Sequence, residues 1–121
     1  MPTSILLVDD NASVRRILRA EFEKPGWKVE EAENGREAIE KAKELNPDLI
    51  VLDLSMPIMN GLEAAPVLRR MLPAVPIILF TLHDNRRLER EAFSVGVSVV
   101  VSKAAGMKTL VDQAQALLRA E

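Results

Sequence analysis

The chain has 121 residues, 48% of them hydrophobic, a formal net charge of −2 and no cysteine. That is enough for one small globular domain; it excludes a disulfide framework and thiolate metal ligands, and the missing cysteines favour a reducing, cytoplasmic setting. Nonspecific nucleic-acid binding, which needs an excess of Lys and Arg, is excluded as well. Met1-Pro2-Thr3-Ser4 has no basic stretch before its short apolar run, and that run ends in two acids, which predicts neither a signal peptide nor a membrane span.

Along the chain, strand and helix patterns alternate. Ser4 to Val8 is a continuous apolar run, as in a strand buried on both faces, and Asn11 is a cap for a helix through about Phe22. Pro25-Gly26 stops it. Trp27 to Ala32 predicts a second strand, placed towards a sheet edge by Glu30 and Glu31. Asn34-Gly35 opens a second helix with Ala38, Ile39, Ala42 and Leu45 on its apolar stripe, and Asn46-Pro47 ends it. Asp48 to Asp53 is the third strand; Ser55-Met56-Pro57 breaks regular structure before Asn60-Gly61 leads into a helix through about Met71. Pro66 falls inside that helix, either in its first turn or as a kink. Pro76 to Thr81 is the fourth strand, Asp84 a cap for the fourth helix and Gly96 its stop. Val97 to Ser102 is the fifth strand. A last helix from about Lys108 to Arg119 turns Leu110, Val111, Ala114, Leu117 and Leu118 inward. Five such units predict a parallel sheet with helices on both faces and right-handed crossovers.

In sheets of that kind ligands bind outside the carboxyl ends of the strands. The residues at those ends are polar: Asp9 and Asp10, Asp53, Thr81 and Lys103. An oxygen-rich cluster suits Mg²⁺, which takes one or two protein carboxylates and keeps several waters. Asp10 and Asp53 are the predicted direct ligands, Asp9 acts through a bound water, and the backbone carbonyl near Ser55 adds an oxygen; Mn²⁺ can substitute. The ion also relieves repulsion among three carboxylates that would otherwise raise at least one pKa. Asp53 is the predicted nucleophile, since a carboxylate attacks phosphorus to give an acyl phosphate. Lys103 then steadies the phosphoryl oxygens and Thr81 donates a hydrogen bond to them.

Asp9-Asp10, Asp53 with Met56-Pro57 and Asn60-Gly61, Thr81, Gly96 and Lys103 together resemble the receiver domain of two-component response regulators over nearly the whole chain. The resemblance implies a flavodoxin-like (βα)5 fold with strand order 2-1-3-4-5, over a single domain spanning residues 1–121 with no output domain in this chain. It implies a phosphoryl group taken from a sensor histidine kinase or phosphotransfer protein onto Asp53, repositioning of Thr81, and a changed surface on the fourth helix, fifth strand and fifth helix that controls a downstream output domain or protein. A homodimer through that surface is compatible with it. It implies a signalling domain that catalyses its own phosphorylation and dephosphorylation and is not a metabolic enzyme.

Three positions depart from the family pattern. Leu82 replaces a small residue after the switch hydroxyl and narrows access to the site. Val100 replaces the customary Tyr or Phe, so no aromatic rotamer switch operates. Ala104 follows Lys103 where Pro is usual, and a cis bond there is far costlier, so trans is expected. The Lys103-Ala104-Ala105 ending resembles NarL and LuxR-type regulators.

Two other classes compete. An aspartyl phosphatase of the haloacid dehalogenase type has a second acid two residues after its nucleophile; Ser55 occupies that place here. A phosphorylation-independent interaction module would leave three costly carboxylates uncompensated. His83 is read as an exposed loop histidine, and Arg86, Arg87 and Arg90 as an exposed helix face.

Overall fold

The computed structural model describes residues 2–120. Five parallel strands form one sheet in the order β2-β1-β3-β4-β5: β1 Ser4–Val8, β2 Lys28–Ala32, β3 Leu49–Leu52, β4 Ile77–Thr81 and β5 Val99–Ser102. Helices α1 Ala12–Glu23, α2 Gly35–Leu45, α3 Gly61–Met71, α4 Arg86–Ser94 and α5 Met107–Arg119 connect or follow them, with a 3-10 turn over Lys103–Ala105. This is the flavodoxin-like arrangement that the alternating pattern and the family resemblance lead to.

Side chains alternate across the strands, so the sheet divides the apolar residues into two layers. Leu6, Val8, Ile50, Leu52, Ile77 and Leu79 meet Ala38 and Ala42 of α2, Ala64, Ala65 and Leu68 of α3, and Leu88 and Ala92 of α4. Ile5, Leu7, Leu49, Val51, Ile78, Phe80 and Val101 meet Leu18 and Phe22 of α1 and Leu110 and Ala114 of α5. The central strands β3 and β4 are buried at every residue, whereas β2 and β5, at the two edges, are not. Glu30 and Glu31 therefore mark an edge, as their charge predicts.

The boundaries are tighter than the apolar runs suggest. β2 starts at Lys28, β3 covers only Leu49–Leu52, β4 starts at Ile77 and β5 at Val99. Asp48, at the start of the third run, instead accepts a hydrogen bond from the Ser4 amide at 2.8 Å. Helix α4 is capped by Asn85 and not by Asp84: the Asn85 backbone is extended and its side chain accepts from the Leu88 amide at 2.9 Å. Pro66 stands six residues into α3, past the first turn; the helix continues to Met71 without the amide donor a proline lacks. Gly96 does stop α4, at φ +102°, with the Val97 amide reaching back to the Ala92 carbonyl at 3.0 Å. The Lys103–Ala104 bond is trans, as is every described peptide bond.

At the end of the sheet away from the acids, Arg69 of α3 clasps three loop carbonyls. Its guanidinium donates to these at 2.7 Å (Gly96), 2.7 Å (Val75) and 3.0 Å (Pro73), and also to the Leu72 carbonyl at the end of α3 at 3.2 Å. One cation thus ties the α3–β4 and α4–β5 connections together.

Candidate functional site

The sheet delivers the site residues by its register. β1 lies between β2 and β3, so Asp9 and Asp53 leave adjacent strands at the same level; the Asp9 amide donates to Ala32 O at 3.1 Å and the Asp53 amide to Val8 O at 2.9 Å. Thr81 is the last residue of β4, paired with Ser102, and Lys103 follows at once. The loop after Asp53 is held close by the Gly61 amide, which donates to Leu54 O at 2.9 Å. A Cβ on Gly61 would stand 2.4 Å from the Asp53 carbonyl oxygen, so only glycine permits that approach.

Carboxylate oxygens of Asp9, Asp10 and Asp53 all lie within 4.8 Å of one another. Asp9 and Asp53 are buried and Asp10 is exposed, so the group opens to solvent on one side only. Lys103 Nζ lies 3.1 Å from Asp9 Oδ2 and 3.2 Å from Asp53 Oδ1, and 5.8 Å from the centre of the Phe80 ring. The other Asp9 oxygen accepts the Asn11 amide at 2.9 Å, and Asn11 in turn caps α1. The buried Thr81 hydroxyl oxygen accepts the His83 amide at 3.1 Å.

Burial, followed by the neighbouring Asp9 charge, pushes the Asp53 carboxyl above its ordinary range; Lys103 offsets this only in part. Burial works against the Lys103 ammonium, but Asp53 and Asp9 outweigh it and hold its pKa above the ordinary lysine value. One ammonium against three carboxylates leaves two negative charges in a half-dry crevice. The donors are all oxygen, which matches a hard divalent cation and not a transition metal that selects nitrogen or sulfur.

The structure brings together four of the six predicted site residues, Asp9, Asp10, Asp53 and Lys103, and sets Thr81 at the end of the next strand. Ser55 lies exposed on the loop two residues beyond Asp53. Leu82 is 70% exposed, so its side chain is not packed into the crevice. Val100 packs, partly buried, against the layer formed by α2, α3 and α4. His83 is exposed beside a shallow cleft that it lines with Leu54, Arg87 and Glu91.

One contributor was missed by the sequence reading. Arg15 of α1 is buried; its Nη1 donates to the Asp9 carbonyl at 2.6 Å and its Nε to Glu31 Oε1 at 2.8 Å. Arg19 Nε adds a bond to Glu31 Oε2 at 2.6 Å, and Lys41 Nζ reaches the Glu31 carbonyl. Burial pushes the Glu31 carboxyl up, but hydrogen bonds from Arg19 and Arg15 outweigh it and hold it below the usual carboxylate range. The signal was available: Arg15 shares the spacing of Leu18 and Phe22 on the buried face of α1.

A five-stranded sheet in this order, with an acid crevice and a lysine at the carboxyl ends of its strands, defines a receiver-type signalling domain. The chain belongs to the response regulator receiver domain family of two-component systems, whose pattern it matches over residues 5–115. It is 40% identical to the transcriptional regulatory protein ResD of Bacillus subtilis over 117 residues, which is 97% of this chain and 48% of that protein. It is 38% identical to the chemotaxis protein CheY of Thermotoga maritima over 104 residues, covering 85% of this chain and 87% of that one. The chain thus spans about half the length of ResD and most of CheY. A crystal structure of a LuxR-family two-component response regulator from Aurantimonas superposes with a TM-score of 0.93 at 34% identity, over 100% of this chain and 88% of that one. That likeness fits the resemblance of the Lys103-Ala104-Ala105 ending. Among the described residues no helix is long and apolar enough to cross a membrane.

Proposed function

We propose that this domain accepts a phosphoryl group on Asp53 from a phosphohistidine donor and uses the resulting acyl phosphate as a signal. The observation that carries this reading is the placement of the Lys103 ammonium between Asp9 and Asp53 in a crevice that retains excess negative charge. Asp10 and Asp53, Asp9 and the Ser55 carbonyl are the residues that would hold Mg²⁺, or Mn²⁺ in its place. When bound, the ion supplies charge neutralisation at the phosphoryl oxygens.

In the transfer, a carboxylate oxygen of Asp53 forms a bond to phosphorus while the bond from phosphorus to the donor imidazole nitrogen breaks, its electron pair remaining on that nitrogen. Lys103, hydrogen-bonded to Asp9 and ion-paired with Asp53, shifts its donors to the phosphoryl oxygens, where charge-assisted bonds are strong. Thr81 rotates its hydroxyl from the His83 amide to donate to the phosphate. That exchange alters the β4–α4 connection and biases the α4-β5-α5 surface, a population shift driven by contacts made only in the phosphorylated state. The donor is a sensor histidine kinase or phosphotransfer protein, the reader of the changed surface is an output domain, a separate protein or a second copy, and the setting is the cytoplasm. Hydrolysis of the acyl phosphate at the same site resets the switch.

Intact-mass spectrometry after incubation with acetyl phosphate, phosphoramidate and a phosphohistidine donor tests this. A phosphoryl adduct that requires Mg²⁺ and is lost in Asp53→Asn supports the reading. A folded, Mg²⁺-binding protein that gains no adduct from any donor would favour the phosphorylation-independent module, with Leu82, next to Thr81, as the first residue to replace.

A further inference from the structure

We propose that Arg15 is a positioning residue for the acid pair: its guanidinium fixes the peptide unit between Asp9 and Asp10, and with it the directions in which both carboxylates face Asp53. This rests on the reading of those acids as the Mg²⁺ ligands.

The Asp9 carbonyl belongs to the peptide that joins the two acids, and a peptide unit is planar. Whatever holds that oxygen therefore orients the Asp10 amide and Cα as well. Arg15 Nη1 holds it at 2.6 Å. On the other side of the same residue, the Asp9 amide is committed to Ala32 O at 3.1 Å. Both main-chain polar groups of Asp9 are thus tied off, and neither bond comes from the residues that touch the phosphoryl position.

A buried cation is costly unless its donors are satisfied. Arg15 donates two hydrogen bonds, to Asp9 O and to Glu31 Oε1 at 2.8 Å, and Glu33 Oε1 stands 3.6 Å away as an ion-pair partner. A planar fork makes such divergent contacts and a lysine ammonium does not reproduce them. Glu31 is itself gripped by Arg19 and Lys41. The acid pair is thereby braced against the β2 edge by this guanidinium as well as by the Asp9 amide.

Simple electrostatics predicts the opposite sign. Removing a cation beside an acid cluster strengthens the pull on a second cation, so loss of Arg15 by charge alone tightens Mg²⁺. Loss of positioning weakens it. A role confined to anchoring α1 on β2 lowers the melting temperature and leaves the affinity of the folded protein unchanged.

The experiment is calorimetric titration of MgCl₂, with no phosphodonor present, into the parent chain, Arg15→Met and Arg19→Met, alongside their melting temperatures. Both variants lose a Glu31 partner, but only the first frees the Asp9 carbonyl. The expected result is about tenfold weaker Mg²⁺ binding in Arg15→Met, the scale seen when a group orienting a metal ligand is removed, and parent affinity in Arg19→Met. Unchanged or tighter binding in Arg15→Met overturns the proposal. If Arg15→Met does not fold, Arg15→Lys carries the test: it keeps the charge and loses the fork, so weakened binding supports the proposal and parent affinity overturns it. A folded parent chain that binds no Mg²⁺ in the same titration overturns the metal-site reading and this proposal with it; parent binding with an indifferent Arg15→Met overturns this proposal alone.

Discussion

Asp53 follows β3 and Lys103 follows β5, two strands separated by β4, yet Lys103 Nζ comes within 3.2 Å of Asp53 Oδ1. The contact spans β4, whose last residue is Thr81. Even with that ammonium in place, the net environment disfavours the Asp53 charge.

A protonation-linked stability change follows. The folded pKa of Asp53 is raised, so between the ordinary value of 3.8 and the raised one the folded state holds a proton that the unfolded state has released. Asp53 thus costs stability as pH rises through that window. In metal-free buffer, Asp53→Asn gains on the parent chain across the window and converges with it below. Urea unfolding with a chelator, repeated across pH, measures the difference; parallel curves at every pH remove the electrostatic account. Millimolar Mg²⁺ reverses the order, because an ion at about a hundred times its Kd adds roughly 2.7 kcal/mol to the protein that binds it.

Glu31 has the opposite sign. Its folded pKa is lowered by Arg19 and Arg15, so its contribution is present above its ordinary value of 4.5 and is lost as pH falls through the folded one. Glu31→Gln is less stable than the parent at neutral pH, and the gap closes in acid. A gap that stays constant down to the lowest folded pH argues that packing and not charge holds this corner.

Thr81→Ala keeps the phosphorylation chemistry and loses the response. Asp53 and Lys103 do not depend on the Thr81 hydroxyl in the resting structure, where its oxygen accepts only the His83 amide. Loss of that bond costs about 1 kcal/mol. Amide chemical shifts in α4 and β5 move on phosphorylation of the parent and move far less in the variant. Equal shifts in both would take Thr81 out of the switch.

The loop after Asp53 carries opposed strains. Ile58 adopts φ +69°, a left-handed conformation, while 75% exposed. A β-branched side chain there costs roughly 1–2 kcal/mol, and asparagine tolerates the same geometry. Ile58→Asn therefore raises stability by about 1 kcal/mol with little burial lost. Gly61→Ala lowers it by roughly 1–3 kcal/mol, the cost of forcing atoms into filled space, since its Cβ would meet the Asp53 carbonyl. Denaturant midpoints decide both signs.

The strands and the acids at their ends were legible because both-face burial writes continuous apolar runs, and charge appears only where such a run stops. The order of the sheet came from family resemblance and not from periodicity, which does not distinguish neighbours. Asp84 and Asn85 are equally good caps on paper; only the extended backbone at Asn85 decides between them. Arg15 and Arg69 escaped notice for one reason. A long cation on a helix is ordinarily solvated, and here each is folded back onto main-chain carbonyl oxygens of loops, partners that have no side-chain signature.

Asp9 and Lys103 are 94 positions apart. During synthesis the three acids emerge and can gather on β1 and β3 long before the ammonium exists, since Lys103 follows the last strand. A nascent chain halted before β5 therefore lacks the ammonium that in the whole domain lies 3.1 Å from Asp9 Oδ2 and 3.2 Å from Asp53 Oδ1. On the proposed function, competence arrives only with the sheet's final edge, and a copy truncated before Lys103 is expected to hold no phosphoryl group.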